Sequence, residues 1–566
     1  MPRRTISPIS SLLAARWLPA LVLVATVTLA WDMGGYHLLD PDEGRNAEVA
    51  REMAATNDYL VPHLNGLPYL DKPVVYFAAA AAAMEWLGPT EIAARLPAYL
   101  ATLATVVLLV WFARRRWGPS AGWLAGIAFA TMPMVLAYAR TTIFDSTLSL
   151  FITTAIICFV EDRPVLAWAA LGAGALTKGP IAIGITLAAV LPYAWLTGVR
   201  VRRYFHWHGL LAFALVALPW FVAVSARIPE FPHYVFVRET FERMTTRSFH
   251  RSAPFWYFLP ILPVAAFPWI VPALARLGGG RLRWAWEARR VNPTAREAIL
   301  LAAWVLGPLV LLTINQSKLP QYVLPLMPAV ALAAARALTL HGPGTGARAY
   351  VWIAGGLGIG LLAAGVWFRQ APADMFGPLT PAARAAIPGV AFGIAGTLLV
   401  SIVLVALAAR RNHAAIIASG YALPVIALPV VIGALMRAVG EDRSAAAMAD
   451  AVRGQGRVIG VAAYPPSLPF YLRRQIPVAT AHGRELTSNY IADYVDRYRA
   501  VAGSPLLSPD AWRRLAAECR EPTLFVARPV DREIRDSLSR FPVLYANSHY
   551  LVYGPCPSTA GIPARP

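Results

Sequence analysis

The chain has 566 residues, of which 57% are hydrophobic and 14% charged, and its mean hydropathy is +0.51. These values exclude an ordinary soluble protein and indicate a polytopic membrane protein. The formal net charge of +20 does not indicate a nucleic-acid partner, because Lys and Arg occur in short clusters between apolar segments.

Thirteen apolar segments predict membrane-spanning helices, at roughly 20 residues per crossing. The first is interpreted as an uncleaved span that keeps Arg3, Arg4 and Arg16 inside, because no convincing small-residue cleavage site follows it. In chain order, the predicted spans lie near residues 17–31, 96–113, 121–138, 142–160, 164–177, 180–198, 208–225, 255–275, 296–314, 321–340, 349–367, 386–407 and 413–436.

Basic clusters set the predicted orientation. Those at 114–116, 200–203, 281–290 and 410–411 all fall on the side of the N-terminus, which is therefore predicted to be inside. An odd number of spans then places the C-terminus outside. The apolar run at 74–88 is short, and counting it as a crossing would move 114–116 to the outer side. It is therefore predicted to be a helix lying on the outer membrane surface.

The chain after about residue 440 has a different pattern. Strand-like runs at 457–464, 522–529 and 542–554 alternate with polar helical stretches such as 508–521. This alternation predicts a small α/β domain.

The predicted fold class is thus mainly α, with about 13 transmembrane helices in a domain at 1–439. This domain includes an outer first loop at 32–95, and the α/β domain at 440–566 is also outside. Cys519 and Cys556 lie in the α/β domain, where an oxidising compartment permits but does not require a disulfide.

A polar stretch at 40–53 follows the first span. Asp40 is predicted to be a helix N-cap, with Pro41 at the first helical position and Glu43 closing a capping box. In the simplest interpretation, Asp42 and Glu43 are only favourable charges at the positive end of a helix dipole. The helix is predicted to be amphipathic and to lie on the membrane surface, with an apolar stripe and an outward polar face. The stripe is Ala47, Ala50, Met53 and Ala54, and the polar face is Glu48, Arg51 and Glu52.

The predicted topology brings further polar residues to the outer side. Asp145 is the clearest of them, because an ionisable residue at membrane depth is costly and usually faces a cavity or a partner. Two simpler interpretations stay open: a structural ion pair for Asp145, and a Lys178 that extends to the membrane interface. The full set is Arg45, Tyr69, Asp71 and Lys72 in the first loop, Asp145 and Lys178 at span ends, Arg247, His250 and Arg251 in the second loop, and Lys318 and Tyr322 after the ninth span.

Acids together with several cations at the lipid–water boundary suit a substrate that carries a phosphate on a hydrophobic tail. Cations neutralise the leaving phosphate as its bond breaks, and a carboxylate orients the acceptor or activates its hydroxyl. Asp71 and His250 are candidate ligands for a divalent metal, because carboxylate and imidazole suit a transition metal. No local spacing motif supports that metal site, and a lone histidine beside an arginine, as His250 is beside Arg251, is more often a hydrogen-bonding or phosphate-contacting residue.

Seven stretches together resemble the bacterial aminoarabinose transferases, which belong to the protein-mannosyltransferase-like membrane glycosyltransferases with the C-type fold. The resemblance covers nearly the whole chain and implies thirteen spans and an outer C-terminal domain. The Asp-Glu pair with Arg45 and the Lys72-Pro73 motif are fairly specific for the superfamily and less so for the sugar. The stretches are "DPDEGRNAEVAREM", "NGLPYLDKP", "EIAARLPAYL", "TTIFDSTL", "LTKGP", "HRSAPFWYF" and "SKLPQYVLPLMP".

The resemblance implies transfer of 4-amino-4-deoxy-L-arabinose from undecaprenyl phosphate to lipid A phosphate, on the periplasmic face of the bacterial inner membrane. It implies that Asp42 is the principal catalytic carboxylate, Asp145 a second one, and Glu43 part of the catalytic pair. The implied substrate-binding residues are Arg45, Lys72, Lys178, Arg247 and Arg251 for phosphates, Tyr69 and Tyr322 for the donor pocket, and Lys318. No organic cofactor is implied.

Two departures leave the sugar open, because the family often has an aromatic residue where this chain has Asn46 and a second proline where it has Val74. A related transferase for galacturonic acid, mannose or glucose, acting on lipid, polysaccharide or protein, is therefore the main alternative. A lipid transporter is a second alternative, against which stands the collection of polar residues on one side instead of near the midplane. A structural scaffold explains these residues least well.

Overall fold

The computed structural model describes residues 8–242, 253–275, 280–372, 375, 379–411 and 413–556. Over these residues the chain divides into two compact units. The first unit consists of Met1–Met33, Pro97–Pro372 and Ala385–Gly433, and the second of Gly34–Leu96, Ala373–Arg384 and Ala434–Pro566.

Most of the described chain is helical, since apolar segments in lipid must satisfy their backbone groups internally. The helices are α1 (Pro8–Ala30), α2 (Asp42–Thr56), α3 (Val75–Leu87), α4 (Glu91–Trp117), α5 (Pro119–Ala130), α6 (Pro133–Ala139), α7 (Asp145–Val160), α8 (Pro164–Lys178), α9 (Ile181–Thr197), α10 (Trp207–Arg227), α11 (Phe231–His233), α12 (Phe258–Ala265), α13 (Ile270–Leu274), α14 (Arg281–Ala288), α15 (Pro293–Ile314), α16 (Met327–His341), α17 (Ala347–Gln370), α18 (Pro381–Arg411), α19 (Ala414–Arg443), α20 (Ala446–Val452), α21 (Leu468–Leu472), α22 (Asn489–Asp493), α23 (Val495–Arg499), α24 (Ala511–Glu518) and α25 (Arg532–Leu538). Short 3₁₀ segments are Val201–Arg203, Pro320–Leu326 and Arg484–Leu486, and Tyr234–Glu242 is a π-helical segment.

All thirteen predicted spans coincide with helical segments. Over the described residues, seven helices are long and apolar enough to cross a membrane, or eight if α5 and α6, bent by 66°, form one broken span. The prediction of thirteen crossings therefore stays a prediction. The segment predicted at 255–275 is interrupted between α12 and α13, where Pro268 lacks the N–H that a continuous helix needs.

The core of the first unit is built by close packing of these helices. The buried indole of Trp269 donates to Thr131 Oγ1 at 2.8 Å, and that of Trp304 donates to the carbonyl of Pro325 at 3.1 Å. Helix α15 packs against α9 so closely that a Cβ at Gly307 would lie 1.8 Å from the carbonyl oxygen of Ala188. Only glycine fits at that contact.

The second unit contains a six-stranded mixed sheet in the order β5-β4-β3-β6-β8-β7. Strand β3 pairs in parallel with β4 and β6, β4 pairs in parallel with β5, and β8 is antiparallel to β6 and β7. The α/β prediction is confirmed, and Cys519 is bonded to Cys556. The strands are β1 (His63–Leu64), β2 (Leu67–Pro68), β3 (Arg457–Val461), β4 (Val478–Ala479), β5 (Leu506–Leu507), β6 (Thr523–Ala527), β7 (Val543–Ala546) and β8 (Leu551–Tyr553), of which β1 and β2 form an antiparallel hairpin.

Helix α2 differs from its prediction in two ways. It begins at Asp42, and no side chain at its start makes the expected capping bond, so Asp40 is not its N-cap. The face predicted to be outward is also buried, because Glu48 is 0% and Glu52 4% exposed. Glu48 accepts hydrogen bonds from Nε and Nη2 of Arg51, both at 2.7 Å, and Glu52 accepts the amide of Gly66 at 2.9 Å.

Candidate functional site

Asp40 anchors the chain just before the start of α2. Its amide donates to the carbonyl of Arg443 at 2.8 Å, and its Oδ2 accepts the hydroxyl of Ser467 at 2.8 Å. Burial raises the pKa of Asp40 to about 7. A Cβ at Gly44 would lie 2.0 Å from Asp40 Oδ1 and 2.6 Å from the amide nitrogen of Ser467. Because Gly44 has no side chain, α2 can pack this closely against Asp40 and Ser467.

Glu43 and Arg95 form a buried ion pair in the same unit. Arg95 donates from Nε to Glu43 Oε1 and from Nη2 to Oε2, both at 2.9 Å. The arginine is 0% exposed, stacks 3.9 Å from the ring centre of Tyr36 and donates to that residue's carbonyl. Glu43 also accepts the amide of Leu39 at 3.1 Å. These contacts support a structural task for Glu43, whereas its catalytic role stays a prediction.

Asp42 and Arg45 form a second ion pair on α2, which is more exposed than the pair of Glu43 with Arg95. Arg45 Nη2 donates to Asp42 Oδ1 at 2.6 Å, and the Asp42 side chain is 48% exposed. Arg45 also donates to the carbonyl oxygen of Thr487 at 3.1 Å, and its guanidinium lies 6.0 Å from the ring centre of Tyr69. Tyr69 itself is buried. Three of the residues predicted for the site are thus neighbours here.

The predicted metal ligand Asp71 has backbone partners. Its two carboxylate oxygens accept the amides of Asn489 and Tyr490 at 3.1 and 3.0 Å, at the start of α22. Lys72 donates from Nζ to the carbonyl of Asp71. The other proposed ligand, His250, lies outside the described residues, as do Arg247 and Arg251. Within the described ranges no cluster of three or more His, Cys, Asp or Glu side chains is arranged to hold a metal ion.

In the first unit, Asp145 and Lys178 form a second polar group. Asp145 is the first residue of α7 and Lys178 the last residue of α8. Lys178 Nζ donates to Asp145 Oδ1 at 2.6 Å, with the carboxylate only 3% exposed. The second oxygen, Oδ2, is buried and has no hydrogen-bond partner among the residues that the structure describes. The ammonium also lies 4.9 Å from the ring centre of Tyr322.

Lys318 lies in the turn before the 3₁₀ segment that carries Tyr322. It is 6% exposed, and its Nζ donates to the carbonyl of Asn315 at 2.7 Å. Burial lowers the pKa of its ammonium. Asp145, Lys178 and Tyr322 thus lie together, and Lys318 is four residues before Tyr322 in the sequence.

Sequence reasoning did not single out several residues that hold these groups. Arg95 lies in the stretch "EIAARLPAYL", but its partner Glu43 is 52 residues away in the sequence. Ser467 and Thr487 are more than 400 residues from the α2 residues that they bind, and no local pattern indicates such pairs.

Comparison with known proteins gives sequence matches over part of the chain. Residues 71–223 match the dolichyl-phosphate-mannose-protein mannosyltransferase family model. The undecaprenyl phosphate-α-4-amino-4-deoxy-L-arabinose arabinosyl transferase of Aeromonas salmonicida is 32% identical over 346 residues, which cover 58% of this chain and 61% of the relative. The enzyme of the same name from Yersinia enterocolitica is 31% identical over 52% of this chain and 54% of its own. The chain thus aligns with little more than half the length of these relatives.

Solved structures match over almost the full length. The ArnT crystal structure from Cupriavidus metallidurans with bound undecaprenyl phosphate has a TM-score of 0.80 at 26% identity, covering 97% of this chain and 99% of that one. Its apo form has a TM-score of 0.78 and covers 95% and 98%. The resemblance predicted from the sequence is therefore confirmed: the chain is similar in sequence to proteins named as aminoarabinose transferases, and it shares the multi-pass fold of ArnT.

Proposed function

We propose that this protein transfers 4-amino-4-deoxy-L-arabinose from undecaprenyl phosphate to a phosphate of lipid A, at the periplasmic face of the bacterial inner membrane. The observation that carries the proposal is the full-length similarity to a transferase solved with undecaprenyl phosphate. The names of the relatives that are 31–32% identical supply the sugar.

The reaction replaces one phosphate ester by another at the anomeric carbon of the sugar. An oxygen of the acceptor phosphate attacks that carbon, the bond from the carbon to the donor's phosphate oxygen breaks, and undecaprenyl phosphate leaves with the bonding electrons. Negative charge therefore develops on the leaving phosphate. Lys72, Lys178 and Lys318, together with Arg247 and Arg251, are the proposed cations that stabilise it.

The Asp145–Lys178 pair is suited to this task. The buried carboxylate of Asp145 lies at hydrogen-bond distance from the ammonium of Lys178 and fixes its position. Oδ2 of Asp145 still lacks a donor, and the sugar's hydroxyl or amino group is a suitable donor. We infer that Asp145 both positions Lys178 and contacts the donor sugar.

Asp42 has a different proposed role. A phosphate acceptor is already anionic near neutral pH, so its oxygen needs no general base. Arg45 Nη2 donates to Asp42 Oδ1 at 2.6 Å and thereby orients the carboxylate. Half-exposed, Asp42 is placed to hold the donor's ammonium group or to orient the acceptor.

A divalent metal remains a proposal from the sequence alone. Asp71 fits poorly as a ligand, because both of its oxygens already accept backbone N–H groups. No step of the reaction above depends on a metal.

The test is an in vitro assay with purified full-length protein, polyprenyl-phosphate sugars of defined structure and lipid A, with products identified by mass spectrometry. Addition of one aminoarabinose to lipid A is expected from the aminoarabinose donor. Transfer only from galacturonic acid, mannose or glucose donors would overturn the sugar assignment while keeping the reaction class. Movement of labelled lipid across vesicles without a glycosylated product would instead indicate a transporter.

A further inference from the structure

A polar cavity lies at the C-terminal end of α7, opposite the end that carries Asp145. It has a volume of about 260 Å³, and its polar lining comprises Arg116, Asp162, Arg203, Arg296 and Glu297. Helix α7 runs from Asp145 to Val160, which lines the cavity, a distance of about 22 Å at 1.5 Å per residue. The two sites are therefore separated by most of the length of a membrane-spanning helix.

Positive charge exceeds negative charge around this cavity. Arg203 pairs with Asp162, Arg116 pairs with Glu161 at 2.9 Å, and Glu297 is shared by Arg116 and Arg336 at 3.8 and 3.4 Å. These contacts commit the three carboxylates to arginines. One arginine that lines the cavity is not paired with any of these three carboxylates.

Arg296 is that cation. In the described part of the chain no carboxylate lies within ion-pair distance of Arg296, and one of its terminal nitrogens donates to the carbonyl of Arg290. Arg296 lines the cavity near the start of α15, and its Nε is buried and has no hydrogen-bond acceptor among the described residues. A buried guanidinium N–H without an acceptor is unfavourable, whereas a phosphate oxygen matches both its charge and its planar donor geometry.

We propose that this cavity binds a phosphate group, with Arg296 as its principal cation. Basic pockets between spans on the side of the positive loops are typical sites for anionic lipid headgroups. Phe159, Val199 and Leu300 supply an apolar part of the same wall, which suits a phosphate attached to a glycerolipid. The site is separate from the proposed transfer reaction, and it requires no chemical step.

The test measures binding of dioctanoyl phosphatidylglycerol, dioctanoyl phosphatidylcholine and inorganic phosphate to the full-length protein in neutral detergent, by native mass spectrometry and thermal unfolding. The phosphatidylglycerol is expected to bind at least tenfold more tightly than the phosphatidylcholine, whose choline cation faces the arginines. Arg296→Gln is expected to remove this preference and Arg296→Lys to retain part of it. The control is Arg283→Gln, at a side chain that is 85% exposed on α14.

Competition separates the two sources of phosphate. If inorganic phosphate at millimolar concentration displaces the phosphatidylglycerol, the cavity recognises the phosphate group whatever carries it. If only the lipid binds, and it does so through Arg296, the ligand is a lipid-borne phosphate. Equal binding of the two lipids, or an Arg296→Gln protein that binds the anionic lipid as tightly as the wild type, would overturn the proposal.

Discussion

Two aspartates of the candidate site sit in contrasting surroundings at the residue scale. Asp145 is enclosed and bonded to a lysine, whereas Asp42 is half exposed beside an arginine. The adjacent Glu43 is enclosed like Asp145, but Arg95 takes both of its oxygens. A carboxylate with an unused buried oxygen can accept a substrate donor, and one whose oxygens are both engaged mainly stabilises the fold.

This contrast gives a test that separates catalysis from stability. Asp42→Asn and Asp145→Asn are each expected to lower transfer at least a hundredfold while the protein still accumulates in the membrane. Glu43→Gln is expected to lose stability instead, by roughly 3–5 kcal/mol, because Arg95 is left buried without its counter-charge. Transfer rates per molecule and unfolding midpoints separate the two effects.

The double variant Glu43→Met/Arg95→Met serves as the control, since it removes both charges together. It should be more stable than either single change. Full transfer activity in both aspartate variants would refute the proposed site, and an unaltered unfolding midpoint in Glu43→Gln would refute the structural role.

The lysines are expected to act on donor binding. Lys178→Ala removes a cation and leaves Asp145 without its partner, so the KM for the polyprenyl-phosphate sugar should rise at least tenfold. Lys72→Ala should raise it as well. Glu287→Gln on α14, where the side chain is 59% exposed, is the surface control. A variant that lowers kcat alone, with KM unchanged, would contradict donor binding as the role.

At the scale of the element, the start of α2 is held by contacts that its own sequence does not reveal. The prediction of a surface helix rested on periodicity, and the helix exists, but Glu48 and Glu52 are buried by partners elsewhere in the second unit. Burial raises the pKa of Glu48 to about 8. Local spacing predicts where a helix forms, whereas partners distant in sequence determine which of its faces is buried.

Asp40 makes this element sensitive to pH. Its folded pKa of about 7 lies above the value near 4 of an exposed aspartate, so the folded state binds more protons than the unfolded state between these values. The corresponding stability is complete below pH 4 and is lost as the pH rises through 7. Asp40→Asn should therefore flatten the fall of the unfolding midpoint between pH 5 and pH 8, which thermal scans at each pH would measure.

Asp496→Asn is the matched control, because that side chain is 87% exposed. Its midpoint should follow the wild-type curve at every pH. An Asp40→Asn protein whose midpoint falls as steeply as that of the wild type would contradict the assignment to Asp40.

Gly44 tests the packing of the same element. Gly44→Ala places a methyl group against Asp40 and the backbone of Ser467, so α2 has to move and both stability and transfer should fall. Gly355→Ala in α17 is the control, since a Cβ there meets nothing within 4 Å and alanine favours a helix. Equal expression, stability and activity of the two variants would contradict the close contact at Gly44.

At the scale of the whole molecule, the sequence predicted the helices of the first unit and the strands of the second. Apolar length and alternating patterns carry that information along the chain. They do not reveal that 34–96 and the C-terminal part of the chain form one compact unit, because their contacts join residues more than 400 positions apart. The number of crossings also cannot be read from apolar length alone, since α7, α9 and the apolar part of α1, Trp17–Ala30, are short for a crossing.

The disulfide gives a test of the second unit and its compartment. Cys519 and Cys556 are bonded, which leaves Cys158 as the free cysteine. After denaturation without reductant, alkylation and mass spectrometry should find one labelled cysteine, and after reduction three. Cys519→Ser should lower the stability of this unit by about 2–4 kcal/mol. Three labelled cysteines without reductant would place the second unit in a reducing compartment and contradict the predicted topology.

The pairing of Asp40 with Ser467 and of Arg45 with Thr487 also bears on biogenesis. The ribosome must add 427 residues after Asp40 before Ser467 exists, which takes roughly 20 to 90 s at bacterial elongation rates. Throughout that interval the segment around Asp42 has been synthesised but lacks the partners that enclose it. We therefore expect the segment around Asp42 to be cleaved more readily by proteases in a nascent chain that ends before Ser467 than in the finished protein.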